Sequence, residues 1–454
     1  MAVENRQEFR ESLLQQLNET LQRRNVEISK KLFLDLHPGD QVEVFNLLNA
    51  PEQEYLISLL DDSDVAVLFS HQEDDETLQA AENIKVDRLA DIIEEMEPDE
   101  AADLLGDLPP QITKEALEKI EDSKDILQLL KYPDETAGGR MTTDYVSVQS
   151  SATTSQSIDV LRHLEPDTDV PYYIYVTDVD NKLLGIVGLR EIVVSKPETL
   201  ISTVMNDEVF FVPAMLDQEE VARIMVTYDL SSIPVIDGQN HLLGVITHDD
   251  IMEVILEEAT EDVYKLASVS DADLEPTSPV KEQIKGRLPW LFLNSATALF
   301  ASWVISNFEG LIGQVAVLAI FQSVVAGQGG NAASQSVAIF VRAIALGNIP
   351  PNTTIKLLFK QMTIGLLQGL CIGTVVGLGV YFWRGNIYLG IVLGLALIGN
   401  MILAGIVGTL IPLGLKAVGQ DPALASSVLV TAITDSLGFF IFLSLANSFL
   451  SHLI

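Results

Sequence analysis

Near the C-terminus the sequence reads TAITDSLGFF, which places Asp435 inside an apolar run from about Ala423 to Leu450. A run of that length can cross a hydrocarbon core of roughly 30 Å, which takes about 20 apolar residues. A charge at its centre costs at least about 2.5 kcal/mol, so a carboxylate there needs a use. Three uses compete: a structural hydrogen bond, a step in a proton relay, and a cation site. The first is easier with a facing Lys or Arg, and no basic residue stands mid-span. A relay employs several ionisable groups, and this region offers one at depth. A cation site is therefore favoured. Without Cys or His beside it, oxygen-only chemistry suits Mg²⁺, Ca²⁺ or Mn²⁺ and disfavours zinc and copper. One carboxylate binds weakly, but a symmetric dimer with the span at its axis supplies two. Mg²⁺ sheds water reluctantly and is commonly held by one or two carboxylates through its remaining waters.

A second polar stretch, AGQGGNAASQS, interrupts another apolar run. Gly327, Gly329 and Gly330 weaken a helix around Asn331, and Gln335 follows one turn later. A broken helix lining a cavity and small-residue helix packing both account for these residues; cavity lining is the expectation for Asn331, and the two readings stand level for Gln335. Further on, Asn400 precedes AGIVGTLIP, where Gly405, Gly408 and Pro412 permit a kink or, as expected here, close packing.

These residues need membrane helices to hold them. From Leu288 five hydrophobic spans follow, about Leu288–Asn307, Leu311–Leu346, Leu357–Trp383, Ile387–Leu415 and Ala423–Leu450. Five such runs are too long and too many to be buried helices of a soluble core. An N-terminus inside the cell puts Ile454 outside, and Lys285, Arg287, Arg342, Lys356, Lys360 and Lys416 then fall on the inner side, with Arg384 alone outside. That agrees with the excess of basic residues in cytoplasmic loops.

Ahead of the spans the composition changes. Of 64 acidic residues only Glu309, Asp421 and Asp435 follow Lys285, which leaves 61 acids against 20 bases before it. Such a surface argues against nucleic acid or anionic lipid as a partner, because phosphate contacts need Lys and Arg, and it suits cations; net charge alone also serves solubility. The single cysteine, Cys371, lies in a hydrophobic run, so no disulfide framework or thiolate metal cluster is implied. The opening residues have no apolar core of a secretory leader, and the acidic part is expected to stay cytosolic.

Residues 1–135 read as an acidic all-α domain of short amphipathic helices stacked into a superhelix, with Pro98 and Pro110 placed where new helices begin. The next segment repeats itself. MTTDYVSVQ from Met141 parallels MNDEVFFVP from Met205, and YYIYVTDVDNKLLGIVGLREIV parallels SSIPVIDGQNHLLGVITHDDIM. Each unit closes with two β-rich runs around a turn, then a helix. This pattern resembles tandem CBS domains, an α/β small-ligand module that pairs face to face, here over 136–200 and 201–256. A connecting helix over 257–284 and an all-α five-helix membrane domain over 285–454 complete the multi-domain reading.

The whole combination resembles the MgtE magnesium channel and transporter family over essentially the full chain. The matching stretches are ETAGGRM, EEATEDVYKL, RLPWLFLN, GGNAASQSVAIFVRAIA, VGQDPALASS and TAITDSLGFF, in that order. The resemblance implies a homodimer whose second and fifth spans line a pore, with Asp435 as the main Mg²⁺-selecting residue. It further implies closure by cytosolic Mg²⁺ bound at Asp99, Asp103, Asp217, Glu219, Asp229, Asp250, Glu258, Glu261 and Asp262, through a plug formed by the connecting helix. In the family ATP can bind the CBS pair, and Tyr173 and Arg190 stand at positions suited to it. For each acid taken singly, a solvated helix-face charge is an equally simple explanation. Departures from the family pattern are Gln322 where a proline is common, Ala333 where glycine is usual, and LFKQMTIG without the customary acid.

The function so implied is a Mg²⁺-selective channel of the cell membrane. A secondary transporter or exporter of divalent cations is the first alternative, and the scarcity of intramembrane ionisable groups weighs against it. A non-transporting sensor is the second, and it needs neither Asp435 nor the polar second span. No nucleophile–base pair, phosphate loop or metal-binding histidine motif suggests an enzyme.

Overall fold

In a computed structural model the described residues are 3–453 apart from 73, 122, 164–172, 271–273, 275, 277, 351 and 425–426. Residues 164–172 of the first repeat and part of VGQDPALASS therefore lie outside the described residues. The chain forms two compact units, Met1–Val254 and Ile255–Ile454.

Among the described residues the first unit opens with ten helices between Val3 and Leu129. Their starts follow the local chemistry. Pro38, Pro98 and Pro110 occupy first-turn positions, where a missing N–H costs nothing, and the Asn25 and Asn49 side chains accept from Ile28 N and Glu52 N, satisfying otherwise orphaned donors. Spacing of three and four residues turns Leu89, Ala90, Ile92 and Ile93 inward on Val86–Glu94. The helix α1 (Pro98–Asp107) buries Ala101, Ala102, Leu104 and Leu105 in the same way, and places Asp99 and Glu100 in its first turn.

Two three-stranded sheets follow. The first comprises β1 (Ser147–Gln149), β2 (Tyr173–Thr177) and β3 (Leu183–Gly188), with helix α2 (Leu189–Val194) after it. The second comprises β4 (Val212–Pro213), β5 (Ser232–Ile236) and β6 (Leu242–Thr247), with helix α3 (Gln218–Tyr228) between β4 and β5 and α4 (His248–Leu266) after β6. In each sheet the first strand runs parallel to the second and the second antiparallel to the third, with an irregularity at the same place, Val176/Thr177 and Val235/Ile236. The repeats are also exchanged at their edges: Thr142 pairs with Val245 of β6, and Asn206 with Ile186 of β3, each through two backbone hydrogen bonds. One apolar core runs from Phe33 and Leu56 through Leu105 and Met141 to Val221 and Ile246.

The second unit is helical: α5 (Val280–Ser306), α6 (Val317–Ala345), α7 (Thr354–Arg384), α8 (Ile387–Ala417) and α9 (Ser427–Ser448). Among the described residues four helices, Val280–Ser306, Thr354–Arg384, Ile387–Ala417 and Val428–Ser448, are long and apolar enough to cross a membrane. Helix α6 has the length but not the hydropathy, because Gly327–Ser336 dilutes it. Its backbone corrects one expectation. The glycine-rich stretch does not break the helix; α6 runs unbroken for 29 residues, since a few glycines lower helix propensity by only about 1 kcal/mol each and neighbouring helices pack against them. The segment 257–284, read as one connecting helix, is helical at its two ends, in α4 up to Leu266 and in α5 from Val280.

Helices α7 and α8 approach until their backbones touch. A Cβ on Gly373 would stand 2.7 Å from Gly394 O, and one on Gly377 2.8 Å from Gly390 O. Small residues permit such contact where apolar surroundings supply no hydrophobic drive between helices. Gly373→Val is accordingly expected to destabilise the protein by about 1–3 kcal/mol, read as a lower melting temperature in detergent, whereas Gly379→Ala, which meets nothing within 4 Å, should melt at or slightly above the parent.

Candidate cation site and acidic clusters

Asp435 projects from the middle of α9, and its Oδ1 is buried without a hydrogen-bond partner. The polar neighbours in sequence do not help it. Thr434 Oγ1 donates to Val430 O at 3.1 Å and Ser436 Oγ to Ala432 O at 2.7 Å, so both hydroxyls are spent on their own helix. One turn before Asp435, Thr431 faces α6: a Cβ on Gly330 would stand 3.5 Å from Thr431 Cγ2. Asn331 follows Gly330 directly.

Helix α6 has two distinct faces. Val325, Gly329, Ala333 and Val337 are buried, while Ser323, Gly327, Asn331, Gln335 and Ile339, each four residues apart, form an exposed stripe. Asn331 and Gln335 thus share one face. The residues that depart from the family pattern lie elsewhere: Ala333 is buried, and Gln322 Nε2 is buried without a partner. The close packing expected for the fourth span is present. A Cβ on Gly408 would stand 2.8 Å from Ala333 O, one on Gly405 2.8 Å from Gln361 O, and Pro412 sits inside an unbroken α8. Among the described residues no three His, Cys, Asp or Glu side chains converge on one metal-sized point; a single chain offers Asp435 alone at this depth.

In the first unit Asp99 is 8% exposed, and its Oδ1 has no partner. Burial, then repulsion from Asp250 and Glu97, holds its carboxyl well above the usual range. Burial also raises Glu100, against a hydrogen bond from Ser70. Burial raises Asp250 as well, although Thr247 N and Oγ1 donate to Asp250 Oδ2 at 3.1 and 2.5 Å. Asp99, Glu100 and Asp250 therefore form a cluster of carboxylates that resist being charged together. Asp103 is one turn further along α1. Asp217 caps α3, its side chain accepting from Glu219 N at 3.0 Å, and Asp229 ends the same helix in a left-handed conformation (φ 53°). Eleven helical residues, about 16 Å, separate these ends, so Asp217 and Glu219 do not meet Asp229 within one chain. Tyr173 and Arg190 do share a corner, since Tyr173 pairs with Gly188, the residue capping α2.

In the second unit Glu258, Glu261, Asp262 and Lys265 lie on one face of α4. Lys265 Nζ pairs with Glu261 and with Asp421 Oδ2, the latter at 2.6 Å. Burial would lower the lysine's pKa, but those two hydrogen bonds outweigh it and keep the ammonium charged. Asp262 goes the other way. Burial, then repulsion from Asp421, pushes its carboxyl up to about 6. Glu100, Lys265 and Asp421 were not singled out from the sequence as site residues, although each adjoins one or lies in a matching stretch.

The second unit is thus a bundle of apolar helices with one polar-striped member and one carboxylate at depth, and the first is an acidic unit holding paired β-α repeats. The family described as "Divalent cation transporter" matches residues 322–445, the MgtE intracellular N domain matches 36–135, and CBS domains match 137–196 and 201–257. The magnesium transporter MgtE of Enterococcus faecalis is 35% identical over 334 residues, 74% of this chain and 73% of that protein; that of Thermus thermophilus is 36% identical over 70% and 71%. The soluble part of a magnesium transporter superposes with a TM-score of 0.51 at 34% identity, covering 55% of this chain and 99% of that one. The cytosolic domain of the Mg²⁺ channel MgtE in complex with ATP does so with 0.50 at 31%, covering 52% and 98%. The chain belongs to the MgtE family of magnesium transporters.

The Asp262 shift has a definite sign. The folded chain holds that proton more tightly than the unfolded chain between the ordinary value of 3.8 and about 6, so the associated stability is present at low pH and is lost as pH rises through that window. The melting temperature of Asp262→Asn minus that of the parent should therefore rise between pH 4 and 6 and stay level above it, as checked by melting curves of both proteins across that range.

Proposed function

We propose that the protein is a Mg²⁺-selective channel of the cell membrane, working as a homodimer and closed by Mg²⁺ from the cytosolic side. The observation that carries this reading is the Asp435 oxygen, buried at mid-helix and left without any donor from its own chain. Two copies related by symmetry bring two such carboxylates to one axis, enough to hold a hydrated Mg²⁺ that keeps most of its water and can leave again, as conduction requires. The polar stripe of α6, with Asn331 and Gln335, lines the approach. Five spans, with α6 counted among them, leave the N-terminus inside and the C-terminus outside.

The acidic clusters supply the gate. Crowded carboxylates repel, and a divalent cation between them turns repulsion into bridging; bridging sites exist only in the compact arrangement, so the ion favours it. The sensing ligands are Asp99, Asp103 and Asp250 in one group, Asp217, Glu219 and Asp229 contributed across the dimer, and Glu258, Glu261 and Asp262 on α4. Inverting a two-state population takes about 5.5 kcal/mol, which several weak sites together provide. ATP binds the CBS pair near Tyr173 and Arg190; in support, a matched relative's cytosolic domain is described as a complex with ATP.

Two measurements test this. In proteoliposomes Asp435→Asn, which keeps the size and removes the charge, should abolish Mg²⁺ flux while the protein still migrates as a dimer; normal flux would show the carboxylate to be structural. Neutralising Glu258, Glu261 and Asp262 together should leave flux intact and raise severalfold the cytosolic Mg²⁺ needed to shut it off. Unchanged inhibition would mark the acidic face as a solubilising surface only.

A further inference from the structure

Asn400 is fully buried in the helical bundle, where an apolar side chain would be the less costly occupant. Its Nδ2 donates to Val325 O, on α6, at 2.8 Å. That contact also settles the orientation of the amide, because the flipped form would set oxygen against oxygen. Oδ1 finds no donor. Two glycines make room for the group. A Cβ on Gly329 of α6 would collide with the amide, and one on Gly438 of α9 would stand 2.7 Å from Nδ2 and 2.9 Å from Oδ1. A single side chain from α8 thus occupies the junction of three helices. Gly329 backs the α6 face opposite Asn331, and Gly438 lies three residues beyond Asp435 on α9.

We propose that Asn400 is a positioning residue for ion selection, fixing the distance between α6 and α9 and hence the width of the cation path. Its hydrogen bond sets the register of α8 against α6, and its bulk against Gly438 sets how near α9 comes. A buried polar side chain costs stability, and its attested use is to fix one register where apolar packing alone leaves several. This rests on the reading of α6 and α9 as the conduction path. Discrimination between Mg²⁺ and Ca²⁺ depends on ligand spacing and on how rigidly it is kept, so a small change in helix separation alters the ratio of the two fluxes before it abolishes either.

The test uses full-length protein in proteoliposomes, with Mg²⁺ alone or Ca²⁺ alone outside, alongside melting curves. Asn400→Leu keeps the volume and removes the amide; Gly438→Ala keeps the amide and pushes it off α9. Both should lower the Mg²⁺-to-Ca²⁺ flux ratio by about fivefold or more while remaining dimeric and melting within a few degrees of the parent. A ratio equal to the parent's in both variants, whether total flux is unchanged or uniformly reduced, overturns the proposal. If Asn400→Leu does not fold, the Gly438→Ala ratio decides alone. Asp435→Asn measured in parallel separates the two ideas: its loss of flux with parental ratios in the Asn400 and Gly438 variants sinks only the positioning role, whereas normal flux in Asp435→Asn sinks the conduction path itself.

Discussion

Inside an apolar helical bundle every polar atom needs a partner, because no solvent is there to supply one. This chain meets that constraint mostly within single helices. Thr409, Thr434 and Ser436 return their hydroxyls to carbonyls one turn back, and Asn400 reaches across to Val325. Asp435 is left out of this economy of hydroxyls. The hydroxyls beside it, Thr434 and Ser436, are committed to their own helix, and no lysine or arginine stands mid-span in the sequence. Among the described residues its buried Oδ1 has no hydrogen-bond donor.

The first unit faces the same electrostatics in another form. Carboxylates such as Asp99 and Asp250 are taken out of water beside one another, which disfavours charging both, and the formal charge of −37 leaves few internal cations to relieve them. In the second unit Lys265 is shared between Glu261 and Asp421, one positive charge against two carboxylates, and Asp262 is held partly out of water beside them. A divalent ion relieves that kind of strain far better than a monovalent one, since it answers two carboxylates at a time.

Much of this was legible in the sequence. Long apolar runs mark their own helices, and the end points Ile387 and Trp383 fall within a residue of the observed ones because a glycine–asparagine turn separates them. The two β-α repeats were plain because alternation and turn residues recur with matching spacing. What escaped were facts of approach between distant residues. Of the glycines expected to weaken α6, Gly329 and Gly330 face Asn400 and Thr431 while Gly327 meets nothing, since sequence does not say which neighbour fills a missing Cβ. The bond from Asn400 to Val325 spans 75 positions and leaves no periodic trace. Asp217 and Asp229 stand together among the acids that the resemblance implies, and α3 holds them at opposite ends.

The exchanged edges of the two CBS repeats bear on the order of events during synthesis. Thr142, at the start of the first repeat, is paired with Val245, near the end of the second. Neither repeat can close its hydrogen-bonding on its own half of the chain, so the pair is completed as one unit and only after β6 has left the ribosome. Such distant pairing is slow to form. In the meantime unpaired strand edges are open to association with other chains. The first apolar helix begins at Val280, soon after β6 in the chain. Insertion into the membrane and closure of the paired repeats therefore fall in the same interval of translation, and a pause between Thr247 and Val280 would favour the folded pair over its aggregation.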